Sequence, residues 1–158
     1  MTRLLAALAF ALAFAVPTPP ASAQGAVAAR DVNAGLSRIT LDVAGHAVVA
    51  EVAATPATRN TGLMNRFSIG PDQGMVFVFS TPQPLSFWMH NTYTPLSIAF
   101  IDAQGRILNI ADMAPQTDDT HLSNGAALYA LEMRKGWFEH NGIAAGARVK
   151  GLPPASRE

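Results

Sequence analysis

Residues 87–95, FWMHNTYTP, carry side chains that could bind a small polar ligand. If this stretch begins as a strand, side-chain alternation places Trp88 and His90 on one face. An indole can stack on a sugar ring, and His90, Asn91 and Thr92 would add hydrogen-bonding groups beside it. A structural role is the alternative. In that case Trp88 packs under a helix or loop, His90 is merely exposed, and Asn91 makes a turn hydrogen bond.

Two arginines in the preceding segment are further ligand-binding candidates. Arg59 and Arg66 could hold a carboxylate or phosphate through the fork of their guanidinium groups. Met64, which lies between them, completes the set of predicted contacts. The alternative is that the arginines only clamp a helix to a sheet.

Two glutamates stand among apolar neighbours in predicted strands. Glu51 and Glu132 could form the acid/base pair that glycoside hydrolysis requires, provided that both face one cleft. Buried charges need partners, however, so each glutamate could instead accept hydrogen bonds from Arg59 or Arg66. We prefer the second interpretation, because structural networks also contain such carboxylates.

Metal and nucleophile chemistry find little support in the sequence. The run DDTH at 118–121 offers carboxylates and an imidazole, but a solvated turn explains it better, since no HxH or HExxH spacing occurs. The chain contains no cysteine, which excludes disulfides, thiol nucleophiles and thiolate-bound metals. Neither a GxSxG elbow nor a phosphate-binding glycine loop is present. The prediction is therefore no metal and no cofactor.

The first 23 residues predict export. Arg3 precedes thirteen apolar residues at 4–16, and a proline-rich break and the small residues ASA follow. This order is typical of a secretory signal peptide, with cleavage predicted between Ala23 and Gln24. A thirteen-residue run is shorter than the roughly 20 residues that span a bilayer. We therefore expect a periplasmic or secreted protein that is neither a lipoprotein nor inserted in the membrane.

The length of the chain predicts one domain, and its charge balance predicts no binding to nucleic acid. Cleavage removes Arg3 and leaves 10 of the 11 basic residues against 11 acidic ones. Such a balance argues against binding of nucleic acid or an anionic membrane surface. We predict a flexible leader at 24–35, a single domain at 36–152 and a loose tail at 153–158. The oligomeric state is left open.

The patterning predicts an α+β domain that is mostly β. Its basis is a curved, mainly antiparallel sheet or barrel of about seven strands with two short helices. Thr55 and Pro56 predict the start of the first helix, which ends near Gly62 or Met64. The second helix is predicted within 136–142. Strands are predicted at 38–43, 48–53, 75–80, 85–90, 95–102, 106–112 and 126–133, with a closing segment at 147–152 and a loop at 113–125.

Five blocks of sequence resemble the DUF192 family, also known as COG1430. They are TPATRNTGLMNR, GMVFVF, FWMHNTYTPLSIAFID, YALEMRKGW and GIAAGARV, and they follow one another in the family order from about residue 49 to 149. The resemblance implies a compact β-rich domain, often exported from bacteria, with no defined reaction. The chain departs from the family pattern at His90, where Lys is usual, at Ser97, where Asp is usual, and at Thr58, which replaces a helix-capping acid.

Three functional hypotheses follow from the sequence. The preferred one is non-catalytic binding of a small polar ligand, such as a sugar or a carboxylate, in a cleft near Trp88. The second is a hydrolase of envelope polysaccharide that uses Glu51 and Glu132. The third is a protein-interaction module of the cell envelope, which predicts an exposed apolar patch instead of a concave pocket.

Overall fold

The computed structural model describes residue 33 and residues 35–157. The predicted signal peptide and nearly all of the predicted leader lie outside the described residues. Within them the chain forms two short helices and nine strands. These are β1 (Arg38–Val43), β2 (His46–Ala53), α1 (Pro56–Thr61), β3 (Gln73–Gln83), β4 (Ser86–Phe87), β5 (Leu96–Ile101), β6 (Ile107–Met113), β7 (His121–Leu122), β8 (Ala127–Arg134), α2 (Trp137–His140) and β9 (Val149–Lys150).

Seven strands form one sheet in the order β6-β5-β8-β3-β2-β1-β9. Only the β2–β3 pair in this sheet is parallel; the other neighbours are antiparallel. A bridge between Arg106 and Arg148 joins the two ends of the sheet, which curls into a half-barrel. The predicted fold class is confirmed. β4 and β7 form a separate two-stranded sheet.

Strand β3 separates two hydrophobic clusters because its successive side chains face opposite sides of the sheet. Val76 and Val78 belong to one cluster, and Trp137 and Phe138 of α2 also pack into it. Met75 and Phe77 belong to the other, which the segment after α1 covers with Leu63. The central position predicted for this doubly apolar strand is confirmed.

The first helix begins as the sequence predicts. Thr55 is its N-cap, and Thr58 completes a capping box although no acid is present. The Thr55 N–H donates to Thr58 Oγ1 at 3.0 Å, and the Thr58 N–H donates to Thr55 Oγ1 at 3.2 Å. The Thr58 hydroxyl thus accepts the hydrogen bond from the N-cap N–H that an acidic side chain usually accepts. After the helix, Gly62 has φ +48°, and a Cβ there would meet the Phe77 ring at 3.3 Å.

Two strand predictions are wrong in extent. The predicted strand at 85–90 shrinks to Ser86–Phe87, because a turn follows in which the Thr92 N–H donates to the Met89 carbonyl and Asn91 takes φ 53°. Pro82, predicted in a loop, lies inside β3. A register irregularity between Val78 and Gln83 accommodates this proline, which has no N–H for the ladder.

Both ends of the predicted domain extend further than expected. Asn33, predicted in the leader, is fully buried, and its side chain donates to the Gly62 carbonyl at 2.7 Å. At the other end, the Tyr129 hydroxyl donates to the Pro153 carbonyl at 2.8 Å. The Ser156 N–H donates to the Phe79 carbonyl at 3.0 Å. The segment predicted as a loose tail is therefore held against β3 and β8.

Candidate ligand-binding cleft

A cleft of about 300 Å³ lies between α1 and the residues after it, β3, β4 and Trp88. Its walls are largely aromatic and aliphatic, and Phe77, Phe79, Phe87 and Leu63 contribute to them. Phe87 packs edge-on against Phe77, with ring centroids 4.8 Å apart at 84°. The volume lies at the lower end of the range for small-molecule sites.

Trp88 lies at this cleft with 52% of its surface exposed. The His90 ring is its neighbour, with centroids 5.5 Å apart and ring planes tilted by 33°. The indole and the imidazole therefore share one side of the chain, as the alternation predicts, even though regular strand structure ends at Phe87. The indole combines a solvent-accessible face with a hollow beside it.

Arg59 joins α1 to the sheet and also lines the cleft. Its guanidinium group donates to the Ala54 carbonyl at 3.1 Å and to the Val78 carbonyl at 3.0 Å. The same group lies over the Phe79 ring, 4.7 Å from the centroid. Arg59 thus clamps the helix, as the structural alternative expects, while its side chain remains part of the cleft wall.

Glu132 is the buried acid of the cleft. Only 4% of its surface is exposed, although it contributes to the cleft lining. Burial raises the pKa of Glu132 from 4.5 to about 8. Among the described residues, no side chain or backbone group is hydrogen-bonded or ion-paired to its carboxyl group. The expectation that an arginine pairs with Glu132 is wrong, and the group is mostly protonated at pH 7.

Glu51 has the opposite environment. Arg66 Nη2 lies 2.8 Å from Glu51 Oε2, and Arg38 Nη2 lies 3.0 Å from Oε1. Burial alone would raise the pKa of Glu51, but the hydrogen bonds and charges of Arg66 and Arg38 outweigh it and lower the pKa. The expected arginine partner is confirmed for this glutamate.

The two glutamates do not share the cleft. Glu51 pairs across the sheet with Met75, and Met75 pairs with Glu132, so all three side chains lie on one face. Two strand spacings separate the two glutamates, which is roughly 10 Å. Glu51 points to its arginines and is absent from the cleft lining. This arrangement does not provide the paired carboxylates of the hydrolase hypothesis.

The predicted ligand-binding residues divide into two groups. Trp88, Thr92, Arg59 and Met64 line the cleft. The other three do not line it, and each has another contact. Their contacts are His90 Nδ1 with Asp118 Oδ1 at 2.9 Å, the Asn91 carbonyl with the Asn65 N–H at 2.9 Å, and Arg66 with Glu51.

Sequence reasoning missed several cleft residues. Asn60 and Ser86 supply polar groups at the lining, and Phe77 and Phe79 supply much of the apolar wall. The sequence predicts Glu132 either as half of a catalytic pair or, preferably, as a carboxylate paired with an arginine, and neither prediction places it as a lone acid of the cleft. The available signal was that Glu132 is the single charged residue inside the apolar run ALYALEM of β8.

Metal binding and membrane insertion are two further possibilities for the described part of the chain. No group of three or more potential metal ligands comes together there. Within the same residues, none of the helices has the length and apolar character needed to span a bilayer.

A family model described as "DUF192: Uncharacterized ACR, COG1430" matches residues 39–151. The chain belongs to the DUF192 family. The resemblance seen in the sequence blocks is thereby confirmed, and the cleft, Trp88 and Glu132 all lie within the matched DUF192 region. No curated protein matches the chain.

Two crystal structures are similar to this DUF192 chain. One is a protein described as a candidate transcription regulator from Sinorhizobium meliloti 1021, with 34% identity and a TM-score of 0.67 over 72% of this chain and 91% of that one. The other is a protein of unknown function from Novosphingobium aromaticivorans DSM 12444, with 34% identity and a TM-score of 0.72 over 74% and 87%. Both likenesses support the compact fold.

The structure explains two departures from the DUF192 pattern. Ser97 donates a hydrogen bond from its hydroxyl to Asp112 on β6 and accepts one from the Gly136 N–H at 2.9 Å. His90 pairs with Asp118 in the loop before β7. Each position therefore has its own local partner, and the fold does not depend on a cation at 90 facing a carboxylate at 97.

Proposed function

We propose that this DUF192 protein is an exported, non-catalytic module that binds a small polar ligand in the cleft beside Trp88. One observation carries the proposal: a half-exposed indole borders a cleft of about 300 Å³ that also contains polar groups. The exposed indole ring of Trp88 is unfavourable in water because it is apolar. It offers a stacking surface to a ligand with a flat or ring-shaped face. Export rests on the signal-peptide pattern of residues 1–23.

Polar groups at the cleft would orient such a ligand. Asn60 supplies an amide, Ser86 a hydroxyl and Thr92 a second hydroxyl, and these groups can donate or accept hydrogen bonds. Apolar walls with a few convergent polar groups are typical of small-molecule sites. A monosaccharide-sized ring matches the volume.

The alternatives have weaker support. The hydrolase hypothesis needs a second carboxylate in the cleft, and Glu51 is held by Arg66 and Arg38 instead. The interaction-module hypothesis has one favourable observation, the stacked and exposed pair of Phe67 and Tyr93 with ring centroids 5.0 Å apart. Two side chains are a small patch compared with the roughly 800 Å² that each partner buries in a stable interface. We therefore prefer ligand binding.

The name of the Sinorhizobium relative raises DNA binding as an alternative. A DNA-binding surface requires an excess of basic side chains on one face. The mature chain instead carries 10 basic and 11 acidic residues. This charge balance does not favour nucleic acid as the ligand.

Intrinsic fluorescence tests the proposal. The chain has two tryptophans, and Trp137 is a buried internal reference whose Nε1–H donates to Asp72 Oδ1 at 3.0 Å. We expect at least one of glucose, N-acetylglucosamine, glucuronate and succinate to change the Trp88 emission in a saturable manner. A Trp88→Phe variant should lose the change while retaining the Trp137 signal. Absence of both a fluorescence change and a calorimetric heat across millimolar ligand would contradict the proposal.

A further inference from the structure

Glu132 offers more information about the ligand than Trp88 does. It is the one carboxyl group in the described cleft lining, it is almost wholly buried, and it has no partner among the described residues. An unpaired buried carboxyl group is costly to keep, because burial penalises its charged form. A ligand group that pairs with this carboxyl would remove that penalty.

We infer that the cleft takes ligands with a protonated amino group, which Glu132 receives as a carboxylate at the cleft wall. This inference rests on the proposed function, because it names the class of ligand that would enter the same cleft. It adds charge recognition by Glu132 to the stacking that Trp88 supplies.

The surroundings of Glu132 favour a cation. Trp88, Phe77, Phe79 and Phe87 line the same cleft, and the faces of aromatic rings attract ammonium groups. Arg59 already lies over the face of Phe79, which shows that this cleft accommodates one cationic group on an aromatic ring. A ligand carboxylate, by contrast, would find Arg59 already donating to two carbonyl oxygens and would be repelled by Glu132 once that group ionises.

Other charged groups around Glu132 modify this preference without removing it. On its own sheet face, Met75 and Ile98 are the uncharged cross-strand neighbours. Glu51 lies beyond Met75 and is paired with Arg66 and Arg38, so that group is electrically compensated.

Two further charged elements lie on the cleft side. From α1, Arg59 lines the cleft and opposes a second cation, but carbonyl oxygens of Ala54 and Val78 accept two of its hydrogen bonds. Beyond Trp88, His90 is paired with Asp118 outside the lining. Glu132 remains the acid that can balance a ligand cation.

Such binding would release a proton. With its pKa raised to about 8 by burial, Glu132 is protonated in the free protein at pH 6 and must ionise to pair with an ammonium group. The affinity for an amine should therefore rise with pH and level off above pH 8. For a single group of this pKa the rise between pH 6 and pH 8 is roughly 50-fold.

Isothermal titration calorimetry with a matched pair of probes tests the inference. Cyclohexylamine and cyclohexanol have the same ring, and only the amine is positively charged between pH 6 and pH 8. At pH 8 we expect the amine to bind at least tenfold more tightly than the alcohol. Heats measured in phosphate and in Tris should differ, because the released proton passes to the buffer.

Two variants assign the effect to Glu132. Glu132→Gln keeps the shape of the neutral acid and cannot ionise, so the preference for the amine and its pH dependence should both disappear. Glu139→Gln removes an exposed carboxyl group of α2 that is not part of the cleft lining, and it should behave as the wild type does. Circular dichroism and retained binding of cyclohexanol show that Glu132→Gln is folded with an intact cleft.

The outcomes separate this inference from the proposed function. Equal binding of amine and alcohol, or an amine preference that survives in Glu132→Gln, overturns the inference while the cleft still qualifies as a binding site. If neither probe nor any sugar or carboxylate of the fluorescence panel binds, the proposed function fails, and the inference fails with it.

Discussion

Glu51 and Glu132 lie on one face of the same sheet, separated by Met75, yet the protein treats them in opposite ways. Glu51 is held between Arg66 and Arg38, and its pKa is lowered. Glu132 has no partner among the described residues, and burial raises its pKa to about 8. The type of residue and the type of strand are the same. The difference comes from which segment covers each position.

The comparison separates a structural carboxylate from a candidate functional one. Glu51 and Arg66 tie β2 to the segment that follows α1 and so help to hold one wall of the cleft. Among the described residues Glu132 holds no other element in this way, and keeping its buried carboxyl group protonated at neutral pH lowers the stability of the fold. A group that lowers stability at neutral pH and lines a cleft is a reasonable candidate for function.

The largest expected effect is on the pH dependence of stability. Glu132 binds a proton more tightly in the folded protein than in the unfolded chain, so the free energy of unfolding should fall as pH rises from about 4.5 to 8. The slope approaches about 1.4 kcal/mol per pH unit, so the loss between pH 5 and pH 7 is roughly 2 to 3 kcal/mol. Urea unfolding of the wild type and of Glu132→Gln at pH 5, 6, 7 and 8 measures this contribution.

In that experiment the two curves should diverge, with the Gln variant gaining stability relative to the wild type as pH rises. Glu139→Gln, which removes an exposed acid, should follow the wild-type slope. Parallel curves for wild type and Glu132→Gln would mean that Glu132 ionises normally in the folded protein and that the contrast with Glu51 is mistaken.

An intermediate effect is expected at Glu51. Arg66→Ala removes the less exposed of its two arginines and should lower the free energy of unfolding by about 2 kcal/mol at pH 7, because a partly buried carboxylate loses its main partner. Arg38→Ala is the matched control. Its side chain is 60% exposed, so the loss should stay below about 1 kcal/mol.

The same pair of variants has a pH signature opposite to that of Glu132. The pKa of Glu51 is lowered in the folded protein, so its stabilising contribution is present above about pH 4.5 and is lost as pH falls through the folded-state pKa. The cost of Arg66→Ala should therefore shrink in acid. Equal losses for Arg66→Ala and Arg38→Ala would show that burial does not distinguish the two pairs.

The smallest effect is expected at the exposed ion pair between His90 and Asp118. Both side chains are at least half exposed, and exposed pairs of this kind contribute little. Asp118→Asn should change the free energy of unfolding by less than about 0.5 kcal/mol in urea unfolding at pH 6 and pH 8. A larger loss would indicate that this pair, and not packing alone, fixes the turn that carries Trp88.

Local patterns in the chain predicted much of the framework. Thr55 and Pro56 predicted the start of α1, because helix capping depends on neighbouring residues. The apolar run at 75–80 predicted a central strand, because a strand that is buried on both faces is apolar at successive positions. The strand predicted at 85–90 ends at Phe87, because a turn follows in which Asn91 has a left-handed backbone conformation. Asn adopts that conformation readily, so the alternation of apolar and polar residues gave no sign of the turn.

By itself the sequence determined the family, the mostly β fold class, the first helix and the position of Trp88 and His90 on one side of their segment. Only the tertiary structure decided which glutamate received an arginine and which was left facing a cleft. Arg66 reaches Glu51 across 15 residues of sequence, and the cleft brings Arg59, Trp88 and Glu132 together from three separate parts of the chain. Contacts of that kind depend on how strands are ordered and covered, and neither property leaves a periodic signal in the residues themselves.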